Sequence, residues 1–92
     1  ALRRWAATVA ADAGSGVRIA LVDCGVDRRH ADLAHVDCRA PDHLAAPADG
    51  VPHPHANHVA GIIGARGERF HGLAPAAELH SIRVTPLGDK VC

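Results

Sequence analysis

Hydrophobic positions along the chain fall into runs of two kinds, and the kinds alternate. Leu2, Trp5, Ala6, Val9 and Ala13 recur at helical spacing, which places them near one face of a helix. The pattern predicts a helix over residues 2–13, with Trp5 as its packing anchor. Gly14-Ser15-Gly16 ends it, because paired glycines favour a turn. Residues 17–22, VRIALV, are apolar except for Arg18. Such a run suits a strand buried on both faces, as in a parallel sheet. It leads straight into Asp23, Cys24 and Gly25. Residues 27–33 are polar and turn-like, and a short strand is expected near residues 35–39.

The pattern then lapses. Pro41, Pro47, Pro52, Pro54 and Gly50 mark residues 40–54 as one long loop, the kind of connection that is usually functional or mobile. From His55 the helical period returns. Val59, Ile62 and Ile63 define a face, and Ala56, Ala60, Gly61 and Gly64 keep the segment slim. A closely packed helix is expected over residues 55–64, entered at His55. A polar loop over residues 64–72 and the stretch GLAPAAEL lead to a final strand over residues 79–84. Helix, strand, loop, helix and strand in this order predict an α/β fold with a parallel sheet. There are no internal repeats.

Composition narrows the picture. At 92 residues the chain is one domain at most, spanning 1–92. A domain of this size buries roughly two thirds of the surface its unfolded chain exposes. Apolar residues make up 48%, which excludes disorder. With one Phe, one Trp and no Tyr or Met, core volume falls to Val, Ile and Leu. That thin core points to a missing partner surface. Ten basic and ten acidic residues without long runs of one sign, and so few aromatics, exclude a nucleic-acid partner. No apolar segment approaches a membrane span, so no membrane partner is expected. No apolar signal-peptide core is visible, so a cytoplasmic location is expected, with secretion as the alternative. A first residue Ala1 rather than Met implies trimming or a cut. Nine Arg against one Lys, with abundant Ala, suggests a GC-rich bacterial genome. Cys24, Cys38 and Cys92 are odd in number and irregularly spaced, which argues against a disulfide framework. Reduced thiols are expected.

The candidate chemistry lies in HPHANHVAG, residues 53–61. Read from His53 it is H-x-H-x-N-H, close to the H-x-H-x-D-H zinc signature of metallo-β-lactamase-like hydrolases. Three imidazoles at His53, His55 and His58 suit zinc. Yet Asn57 stands where that signature needs Asp, and a carboxamide is neither carboxylate ligand nor base. Eight histidines in 92 residues also make chance adjacency easy. Read from His55 the segment is H-x-x-H-V-A-G, with a histidine at the start of a helix. Asp23 closes an apolar strand 32 residues earlier, at the sheet end where α/β folds place their chemistry. Its bland alternative is a turn aspartate in VDCG.

Three segments together resemble the subtilisin-like serine proteases, or subtilases. VRIALVDCGVDRRHADL resembles their catalytic-aspartate segment, V-A-(V/I)-(I/L)-D-(S/T)-G-(I/V)-D-x-x-H-P-D-L. HANHVAGIIGA resembles H-G-T-H-V-A-G-x-(I/V)-A-A, and GLAPAAELHSIRV resembles G-V-A-P-x-A-x-L-x-x-(V/L)-(K/R)-V. They occur in family order and cover residues 17–84. The resemblance implies the three-layer subtilisin-like α/β fold with its parallel sheet, of which this chain holds only the amino-terminal portion. It implies that Asp23 is the catalytic aspartate, His55 the catalytic histidine and His58 a structural histidine. Cys24, Ala31, Ala56 and Asn57 depart from the family pattern without removing a reacting group.

The larger departure is that the G-T-S serine segment and the oxyanion asparagine of the family are not present. Ser15 and Ser81 are the only serines, one in a Gly-Ser-Gly turn and the other inside the last strand. Cys24 is set aside as a substitute nucleophile, because consecutive strand side chains point to opposite faces. Many subtilases bind calcium through the Asp matched here by Asp32. The loop that would complete that site, ARGERFHG, has two Arg and no Asn. No metal and no cofactor is therefore expected.

The leading expectation is a two-chain or nicked serine endopeptidase. This chain supplies Asp23 and His55, a complementing protease chain supplies the catalytic serine and the oxyanion asparagine, and the substrate is a precursor or leader peptide. The alternatives are a catalytically dead subtilase fragment acting as a partner-binding or regulatory module, and the His-rich zinc site.

Overall fold

The computed structural model describes residues 8–40 and 54–84. Three strands form one parallel sheet: β1 (Arg18–Asp23), β2 (Asp37–Arg39) and β3 (Glu78–Arg83). Their order is β1-β3-β2, so the last strand in sequence is the central one. The register pairs Ile19 with Leu79, Leu21 with Ser81 and Asp23 with Arg83. On the other side Cys38 pairs with Ser81. Among the described residues, a turn of 3-10 helix, Ala31–Leu33, precedes β2, and the helix α1 (Pro54–Gly64) precedes β3. The fold is α/β, with the parallel sheet anticipated from the chain pattern.

In β1, Ile19, Leu21 and Val22 supply the aliphatic and β-branched side chains that suit a pleated, half-buried surface. The expectation that residues 17–22 are buried on both faces is corrected. β1 alternates, with Ile19, Leu21 and Asp23 half-buried while Arg18, Ala20 and Val22 are exposed. Val22 is 62% exposed. β3 alternates in phase, burying Leu79, Ser81 and Arg83. A largely apolar run does not by itself reveal how many of its faces are covered.

The core lies between the sheet and α1. Ala56 and Ala60 from the helix meet Leu79, Val26, Leu33 and Val36, with Ile19, Leu21, Ile63 and Phe70 packed around them. Small helix residues let the backbones approach. At Gly64 a β-carbon would lie 2.9 Å from the Leu79 side chain. The helix expected over residues 2–13 is also corrected in its described part. Residues 8–16 are turns and a bend, closed by Ala13 N–H to Ala10 O and Ser15 N–H to Asp12 O, 3.0 Å each. Gly14 and Gly16 adopt φ of 85° and 81°, a region glycine enters freely. They pull the chain out of any helix and into β1. The part of that expected helix before residue 8, and residues 41–53 of the loop expected over 40–54, lie outside the described residues, while Pro54 is the first residue of α1.

One arginine braces the far side of the fold. The Arg66 guanidinium donates to Pro75 O at 2.6 Å and to Ala77 O at 3.2 Å, and its backbone N–H donates to Asp32 O at 2.9 Å. These bonds tie the loop after α1 to the 3-10 turn and to the entry of β3. Among the described residues no helix is long and apolar enough to cross a membrane.

Candidate active site

Asp23 is the last residue of β1, and His55 is the second residue of α1. The strand delivers a carboxylate to the carboxyl end of the sheet, and the helix begins there. His55 Nδ1 lies 3.1 Å from each oxygen of the Asp23 carboxylate. An ionised carboxylate only accepts, so Nδ1 carries the proton and donates it. In the neutral ring that leaves Nε2 as the basic nitrogen. The Asp23 side chain is 14% exposed and that of His55 58%. The acceptor is sheltered while the ring stands open to solvent.

The segment after β1 is held by three side-chain acceptors. Cys24 N–H donates to Asp23 Oδ1 at 2.7 Å, which fixes the carboxylate from below. Val26 N–H donates to Ser81 Oγ at 3.2 Å, and Asp27 N–H donates to Asn57 Oδ1 at 2.7 Å. Between them Gly25 has φ 96°, and a β-carbon there would lie 2.8 Å from Arg83 Cδ. Only glycine suits both the backbone angle and the arginine lying against it. Asp27 in turn grips Arg29, whose guanidinium approaches to 2.7 Å. Hydrogen bonds from the Arg29 side chain and backbone lower the Asp27 carboxyl to about 2. Cys38 donates weakly to Val26 O at 3.5 Å, and burial pushes its thiol up.

Of the residues singled out in the sequence, Asp23 and His55 come together. His58 does not behave as expected. The resemblance implies a structural histidine there, but it is exposed and borders an open cleft with His30, Asp32, Asn57 and Phe70. Ala56, Ala60 and Gly64 define the buried stripe, and two residues beyond Ala56 is about 200° around the helix. His53 lies outside the described residues. Asn57, read from the sequence only as a departure, is a brace between α1 and the chain after β1. Ser81, on the buried face of β3, is another.

Cys24 departs from expectation twice. It is disulfide-bonded, against the reading of three reduced thiols, whereas Cys38 is a free thiol. Its sulfur does not point away from the site either. Ligand atoms of Asp23, Cys24 and His55 all lie within 4.8 Å of one another. Strand geometry stops at Asp23 and Cys24 sits in a bend, so strict face alternation no longer applies there.

With this geometry in view, the model of the subtilase family matches residues 14–91. The chain belongs to the subtilase family. That membership gives it a peptidase-type character, and both residues of the Asp23–His55 contact lie inside the matched region. A comparison with curated proteins returns no match.

Proposed function

We propose that this subtilase chain supplies the acid–base half of a serine endopeptidase. The observation that carries the reading is the Nδ1–H donation from His55 to Asp23 at 3.1 Å. In the reaction, His55 Nε2 takes the proton of a serine hydroxyl as the serine oxygen bonds to the peptide carbonyl carbon. Asp23 fixes the tautomer and stabilises the imidazolium that forms. His55 then passes the proton to the departing amine. A second serine-bearing chain, or a carboxyl-terminal part, supplies the nucleophile and the oxyanion asparagine. The substrate we favour is a precursor or leader peptide, and the reaction needs no metal or other cofactor.

The serines of this chain support that division. Ser81 is 1% exposed and its Oγ accepts from Val26 N–H. Ser15 lies in the turn before β1, at the opposite end from Asp23 of a six-residue strand that spans roughly 17–20 Å. Neither can reach His55. The same fact favours a second reading, a partner-binding subtilase module without activity. The test is peptide hydrolysis by the intact protein with all its co-purifying chains. Hydrolysis lost in His55→Ala supports the peptidase. An intact, inactive complex supports the binding module.

A further inference from the structure

We propose that reduction of the Cys24 disulfide turns the Asp23–His55 pair into a binding site for a thiophilic divalent cation such as zinc, which switches the pair off. The three ligand types are a carboxylate, a thiolate and an imidazole, a set that zinc accepts. Their donor atoms lie within 4.8 Å of one another. A tetrahedral ion with bonds of about 2.0–2.3 Å needs ligand separations of roughly 3.3–3.6 Å, within reach of small side-chain rotations. Access runs from the solvent side, since the His55 side chain is 58% exposed. The fourth position is left to water.

In the disulfide state the sulfur of Cys24 has no thiolate to offer, and only Asp23 and His55 remain. That pair is too few ligands to hold zinc firmly against water. A dithiol reductant changes this. It gives two electrons and two protons to the disulfide, the S–S bond breaks, two thiols form, and the reductant closes to its own cyclic disulfide. Metal binding then displaces the Cys24 thiol proton into solvent. The ion takes the Asp23 carboxylate and His55 Nδ1, and the ring proton moves from Nδ1 to Nε2. His55 then has no basic nitrogen left. The cation blocks proton transfer without occupying any substrate pocket, and the disulfide protects the pair from it.

Cobalt(II) is the probe, because thiolate ligation gives it an intense near-ultraviolet charge-transfer band. Intact protein, oxidised or reduced by a dithiol that is then removed, is titrated with cobalt. The expected result is a one-to-one band in the reduced protein alone, displaced by zinc, and absent in Cys24→Ser and in His55→Ala. Cys38→Ser keeps the band, which excludes the Cys38 thiol as the ligand. Circular dichroism confirms that each variant is folded. His55→Ala is the safer of the two, since that side chain is largely exposed. No band in the reduced protein, or a band that survives in folded His55→Ala, overturns the proposal. The readout is independent of peptidase activity, so its failure is distinct from failure of the catalytic reading.

Discussion

Asp23 and His55 were legible as single residues because each carries a local signature. An aspartate ending an apolar strand and a histidine opening a helix are both visible in one sequence. Their supports were not. Asn57, Ser81 and Arg83 act on backbone atoms or glycines many positions away, and no short pattern marks such contacts. Cys24 was misjudged because the alternation rule was applied one residue past the strand's end. At this scale, Asp23→Asn in the intact peptidase should lower turnover by up to about 10⁴-fold through the wrong imidazole tautomer. His55→Ala should cost about as much as removing the nucleophile, since the triad acts as a unit. Steady-state kinetics on each variant checks both. Asn57→Ala leaves the Asp27 N–H without its acceptor and should cost about 1–3 kcal/mol of stability, read by denaturant unfolding. Retention of full stability in that variant would remove Asn57 from its bracing role.

Among the elements, β1 stood out by its aliphatic run and α1 by the helical spacing of Val59, Ile62 and Ile63, whereas β3 was marked only by Leu79, Ile82 and Val84. The expected helix over residues 2–13 failed in its described part because the positive-φ glycines at 14 and 16 and the i to i+3 turns before them outweigh a weak alanine-rich stripe. The 3-10 turn and β2 flank a second feature. His35 lies between them, and its Nε2 is buried with no hydrogen-bond partner among the described residues. Burial first, and then the Arg66 charge, lower its pKa from the usual 6.5. The folded state therefore holds His35 neutral, whereas the unfolded chain protonates near 6.5. The unfolded state binds more protons across that interval, so stability rises with pH there. The His35 contribution is complete above about pH 6.5 and is lost as pH falls through the lowered folded value. Thermal unfolding followed from pH 7.5 down to pH 5 should show a declining midpoint, and His35→Gln should flatten that decline. An unchanged slope in the variant would assign the effect to other groups.

For the molecule as a whole, the α/β class and the family were legible from three motifs in order, but the covering of the sheet was not. One face of β1 carries Ala20 and Val22 into solvent, and Val17 and Val84 are about half exposed. Exposed apolar strand surface favours association. Expressed alone, the 92-residue chain should aggregate or fold poorly and show no peptidase activity, whereas the serine-bearing chain or carboxyl-terminal part should bring it into solution. Sedimentation of the chain with and without its co-purifying proteins distinguishes these outcomes. A monomeric, cooperatively folding 92-residue chain would move the weight to the binding-module reading. The central claim is that His55 and Asp23 activate a serine other than Ser15 and Ser81. Its most direct test is labelling of the intact protein with a fluorophosphonate, followed by mass mapping of the modified residue. The account predicts one modified serine, distinct from Ser15 and Ser81, with labelling lost in His55→Ala. Absence of labelling in a folded, complete complex, or labelling undiminished in His55→Ala, would contradict it.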